Sequence, residues 1–167
     1  PVEVFENIID MLYSVFLTDR VEDTRALHSC ALVCRAWRVR SQRNLFYSVV
    51  LHDVAAIEKL STVLANAPHL CEYVHEVTLI GRTLHTTASP LSLLPIALHG
   101  KLPKLQDLHI NRSLQYLPLH PRFSLFFSAF TTISRLFIYN TTFRYFNDFA
   151  RMVNSLPALE ILICDGV

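Results

Sequence analysis

Four arginines lie within nine residues of one another, Arg35, Arg38, Arg40 and Arg43, and they surround the chain's single tryptophan, Trp37. Such a cluster can contact phosphates, pair with carboxylates or edge a docking surface. Phosphate binding needs several cations on a broad basic surface. Here six acidic residues accompany the six basic ones in the first 52 positions. The arginines therefore read as a solvated face, one or two of them paired with Glu3, Glu6, Asp10 or the acids of a partner. The four cysteines (Cys30, Cys34, Cys71, Cys164) and eight histidines are scattered. Cys30 and Cys34, four apart, would share one helix, but no second pair completes a zinc set, so core thiols are expected. His-Glu-x-x-His and Gly-x-Ser-x-Gly are both absent, and three glycines leave little for phosphate-binding turns. No catalytic, cofactor-binding or metal residue is predicted.

Composition narrows the class further. The 167 residues are 51% hydrophobic with a formal charge of +1, enough to fill a core and too balanced for a global field towards nucleic acid or membrane. Sparse, unpaired cysteine usage suits a reducing compartment. No apolar run reaches about 18 residues and no leader opens the sequence, so neither a membrane span nor a signal peptide is expected. The sequons at Asn111 and Asn140 then read as chance.

The chain changes character near residue 50. Before it, Val4, Phe5, Ile8, Ile9 and Leu12 recur at offsets of three and four, which predicts an amphipathic helix over 2–15. A polar loop follows to Asp23, with Asp23 or Thr24 as cap. Leu27, Cys30, Ala31, Cys34 and Trp37 continue the helical spacing to about Asn44, with a bend or break around Val33 to Arg35.

After that comes a repeat. A template of apolar, two residues, apolar, one residue, apolar fits Phe46/Val49/Leu51, Val74/Val77/Leu79, Leu105/Leu108/Ile110, Ile133/Leu136/Ile138 and Leu159/Leu162/Cys164. The starts are separated by 28, 31, 28 and 26 residues. Leucine-rich repeats run roughly 20 to 29 residues, each pairing a short strand with a helix or extended turn, because one such unit cannot bury its apolar face alone. Helices are expected over 54–67, 91–99, 125–130 and 146–154, with Asp53 and Ser89-Pro90 as start signals. Asn111 and Asn140 lie close to the asparagine of the template. The fold class is thus α/β, a helical N-terminus followed by a short leucine-rich-repeat-like solenoid with a parallel sheet. An ordinary α/β or α+β domain with coincidental spacing is the alternative. Alternate strand positions Thr78, His109, Tyr139 and Ile163, with Gln106 or Asp107 and Arg135 nearby, would line an outward surface available to a target, or one merely solvated.

Residues 1–12, then Leu27-His-Ser-Cys-Ala-Leu-Val-Cys-Arg-Ala-Trp37 and Leu45-Phe46, resemble the F-box. That family opens with Leu-Pro-x-Glu and carries a Leu-Val-Cys-x-x-Trp core. The resemblance spans 1–47, and 46–167 forms the repeat region, with Val167 following the fifth strand and more chain expected beyond it. It implies a non-catalytic subunit of a ubiquitin ligase, working in cytoplasm or nucleus. The F-box would bind a Skp1-type adaptor, and through it a cullin and RING scaffold, while the repeats hold an unknown target protein. Adaptor contacts would come from Pro1, Val4, Ile8, Leu32, Val33, Cys34 and Trp37, each of which could instead be internal core. A leucine-rich scaffold with no ligase role is the other reading.

Overall fold

A computed structural model describes residues 2–12, 20–81, 90–111 and 122–167, and the chain divides into two units, 1–48 and 49–167. Among the described residues no helix is long and apolar enough to cross a membrane.

The first unit is helical: α1 (Val2–Met11), α2 (Arg20–Val33) and α3 (Arg35–Tyr47). The break between α2 and α3 falls on Cys34, whose backbone is extended (φ −158°, ψ 173°) while its carbonyl accepts the first bond of α3 from Arg38 N at 3.0 Å. Cys30 and Cys34 therefore do not share a helix. Three expected boundaries move. The first helix ends at Met11 rather than 15, with residues 13–19 outside the described set. Asp23 and Thr24 lie inside α2 rather than capping it, since an acid near a helix N-terminus suits the dipole beyond the cap itself. Finally, α3 continues past Asn44 because Leu45-Phe46-Tyr47 contains no breaker.

The second unit alternates strand and helix: β1 (Ser48–Leu51), α4 (Val54–Asn66), a 3-10 turn (Pro68–Tyr73), β2 (Glu76–Ile80), α5 (Pro90–Ala97), β3 (Asp107–Asn111), α6 (Phe123–Phe127), β4 (Arg135–Tyr139), α7 (Phe146–Asn154) and β5 (Ile161–Asp165). The strands form one five-stranded parallel sheet in the order β1-β2-β3-β4-β5. Every strand begins two residues after the first apolar position of its template. That leading residue is buried before the strand at Val74, Leu105 and Ile133. The backbone repeats as well: the His75 carbonyl accepts from Gln106 N and Asp107 N, the Gln106 carbonyl from Ser134 N and Arg135 N, and the Ser134 carbonyl from Glu160 N and Ile161 N, all at 2.9 to 3.1 Å. The same backbone contact between neighbouring repeats thus starts three consecutive strands.

Burial explains the alternation. Val77 and Leu79, Leu108 and Ile110, and Leu136 and Ile138 share one buried face of the sheet, and Ile57, Leu60 and Leu64 of α4, Leu91 and Leu94 of α5, Phe123 and Phe127 of α6 and Met152 of α7 are buried as well. Each such side chain contributes about 1.5–3 kcal/mol. Consecutive helices also touch: Ser61 Oγ donates to the Ala97 carbonyl at 2.9 Å, and Lys101 Nζ donates to Ser61 Oγ at 2.7 Å. On β5 the inward positions are less covered, with Leu162 40% exposed and Cys164 exposed.

Asp53 caps α4, its Oδ1 accepting from Ala56 N at 2.7 Å. Asp53→Ala is expected to lower stability by about 1 kcal/mol in denaturant unfolding, with no change in fold. Asn111 and Asn140, one and two residues past Ile110 and Ile138, are not equivalent. Asn111 ends β3 opposite Tyr139, whereas Asn140 follows β4 in the left-handed region at φ 48°. Asparagine tolerates that conformation better than most residues.

Candidate functional site

In the helical unit, α1 is held against α3 by polar contacts at its C-terminal end. The Arg40 guanidinium grips the Asp10 carboxylate with two bonds, one from Nε to Oδ1 at 2.8 Å and the other from Nη2 to Oδ2. Asn44 Nδ2 donates to the Ile9 carbonyl at 3.2 Å and to Asp10 Oδ1 at 3.1 Å. Ile9 is buried. With that side of α1 fixed inward, positions i, i+4 and i+7 at Val4, Ile8 and Met11 emerge on another face, all exposed.

The predicted stripe is therefore split. Leu27 and Ile9 are the buried hydrophobic side chains among the described residues of this unit, while Val4, Phe5, Ile8, Met11, Leu32, Val33, Val39 and Tyr47 are exposed. Leu32 and Val33, 82% and 62% exposed, stand at the corner where Cys34 leaves the helical conformation. One turn on, Trp37 is half-buried against Phe5, ring centroids 5.2 Å apart. Val4, Ile8, Leu32, Val33 and Cys34 are thus outward, Trp37 faces both ways, and Pro1 lies outside the described residues. Phe5, Met11 and Val39 are not among the expected adaptor contacts. Met11 continues the Val4/Ile8 spacing and was legible; Val39 lies among the arginines and carries no such signal.

Among the described residues, Arg40 is the arginine of the cluster that pairs with an acid of the unit, as the solvated-face reading allowed. It also sets the charge on Asp10: its hydrogen bonds, helped by Asn44, hold the carboxyl below its ordinary value against the opposing effect of partial desolvation. A depressed carboxylate pKa gives stability that is present above about pH 4 and is lost as pH falls through the folded-state value. Both side chains are partly solvated, 30% and 38% exposed, so the pair is worth about 1 kcal/mol. The stability gap between wild type and Asp10→Asn, read by thermal melting, is expected to be present at neutral pH and to shrink below pH 4.

In the second unit, the outward strand positions form three rows. Glu76, Asp107, Arg135 and Ile161 lie in the first, Thr78, His109, Phe137 and Ile163 in the second, and Ile80, Asn111, Tyr139 and Asp165 in the third. Thr78, His109 and Ile163 thus share a row as expected. Tyr139 does not join them: Phe137 is the partner of His109, and its ring stacks on the imidazole at 4.2 Å with 4° between planes. Sequence reasoning missed Phe137 because an apolar residue on a strand reads as core, whereas register places it on the outward face. Arg135 lies in the first row, its guanidinium forked onto Asp107, with Nη2 to Oδ2 at 2.6 Å. His109 Nε2 stands 3.7 Å from Glu76 Oε1, across β2 and β3.

Comparison with protein-family models, with curated proteins and with solved structures returns no match.

Proposed function

We propose that the chain is a substrate-recognition subunit of a Skp1–cullin–F-box ubiquitin ligase, its helical unit serving as the F-box and its sheet unit as a short leucine-rich-repeat-like solenoid. The observation that carries the reading is the inversion of the helical unit: two buried hydrophobic residues against eight large exposed ones among the described positions. Fewer than 50 residues bury too little surface to be comfortable alone, and apolar surface on this scale is better matched by a partner than by water. The Leu32-Val33-Cys34 corner and Trp37 coincide with the segment that resembles the F-box core. Val4 and Ile8 add the first helix, and Pro1 precedes it.

For the sheet unit, support comes from strand starts 26 to 31 residues apart, sequential parallel order and the backbone contact that recurs between neighbouring repeats. Such repetition lays outward residues of neighbouring strands side by side, where Thr78, His109, Arg135 and Tyr139 would meet a target protein. The adaptor would link this surface to cullin and RING subunits. No catalytic step is assigned to the chain.

Affinity capture from cells, with and without proteasome inhibition, tests the proposal. Adaptor and cullin should co-purify with the chain, and a target should accumulate when the proteasome is blocked. A chain that captures proteins through its repeats but never an adaptor would be an interaction scaffold without ligase function.

A further inference from the structure

We propose that Glu76, Asp107 and His109 form a binding site for a zinc-class divalent metal ion on the outward face of the sheet. Among the described residues these three offer an imidazole nitrogen and two carboxylate oxygens that all lie within 4.8 Å of one another. Glu76 and Asp107 are register partners on β2 and β3, and His109 follows Asp107 by two positions on the same face. The ligand atoms of a tetrahedral zinc site sit about 3.4 Å apart, given metal–ligand lengths of about 2.1 Å. The long, rotatable Glu76 side chain can close that difference without moving a strand.

Three features favour an ion at this point. First, two carboxylates stand directly opposite each other on a ladder, an arrangement that repels and that a cation bound between them would relieve. An ion there would be held by the neutral imidazole, the state that ligates metal. Second, the side chains of Glu76, Asp107 and His109 are only 20%, 16% and 25% exposed, so water screens that repulsion weakly. Third, two of the prospective ligands are held in place. Phe137 stacks on the His109 ring, and Arg135 takes one lone pair from each oxygen of Asp107. A carboxylate offers about four such sites, so Asp107 can still ligate while Arg135 orients it, as outer partners commonly do in metal centres. One nitrogen with two oxygens suits zinc, cobalt or manganese better than calcium, which takes six to eight oxygens. With three protein ligands, further coordination positions stay open to water or to a carboxylate or imidazole of a bound partner.

The inference does not depend on the ligase reading, because the test needs the intact chain alone. Cobalt(II) titration followed by visible absorption, and zinc(II) titration by calorimetry, should show one saturable equivalent. Glu76→Gln and His109→Ala should each weaken it at least about tenfold. His99→Ala, an exposed histidine elsewhere, should leave it unchanged. Zinc should also raise the melting temperature of the wild type but not of Glu76→Gln, whose shape is conserved, so a folding defect in His109→Ala cannot decide the outcome. The absence of saturable binding, or equal affinity in wild type and Glu76→Gln, would overturn the proposal.

Discussion

Val33→Asp is expected to abolish capture of a Skp1-type adaptor while leaving the chain folded. Val33 is the last residue of α2, is 62% exposed, and precedes the extended Cys34 at which the helix turns the corner. Its side chain therefore contributes little to the fold, and a carboxylate there meets water in the free protein. In the proposed complex the same carboxylate would be buried against an apolar partner without a counter-charge. Central interface residues carry at least about 2 kcal/mol, and an unpaired buried charge adds to that, so affinity should fall by more than about 30-fold. Melting temperature should stay within a few degrees. Trp37→Ala should also weaken capture, but it removes the contact with Phe5 and so lowers stability too. An adaptor pull-down paired with thermal melting separates the two. Undiminished capture by a folded Val33→Asp protein would remove the corner from the interface.

Leu136→Ala is expected to destabilise the sheet unit by about 2–5 kcal/mol. Leu136 is fully buried on β4, between Leu108 and Leu162 in one inward row. Domains are stable by about 5–15 kcal/mol, so this single truncation should consume a large part of the margin. Leu162→Ala, in the same row and chemically identical, should cost about 1 kcal/mol or less, because that side chain already meets solvent. Denaturant unfolding of the two variants measures the difference. Equal losses would mean that β5 is as well covered as β4, and would contradict the burial gradient along the sheet.

Much of the architecture was legible because it depends on local period. The apolar template located all five strands with a constant two-residue offset, and Asp53 announced the start of α4 by its capping chemistry. The span 146–154 reads as a helix from its spacing and is α7. The break near Val33 to Arg35 was also expected, although neither proline nor glycine marks it. What was not legible depends on register. Phe137 and Tyr139 look interchangeable in a string, and only strand pairing decides that the first meets His109. Glu76 lies 31 positions from its partner Asp107, so no motif spacing gathers the acid pair with His109. Likewise, the first helix has apolar residues around more than one face. The Asp10–Arg40 pair and Asn44 determine which of them turn inward, and those contacts join positions about thirty residues apart.

The inverted distribution of apolar residues in the helical unit makes adaptor docking the central claim, and calorimetric titration of the intact chain with a purified Skp1-type adaptor addresses it without cellular intermediaries. The predicted result is saturable one-to-one binding with a negative heat-capacity change, the mark of apolar burial. It should be lost when Leu32 and Val33 are both replaced by Asp. Absence of binding by a folded wild-type chain, or binding that survives the double replacement, would contradict it.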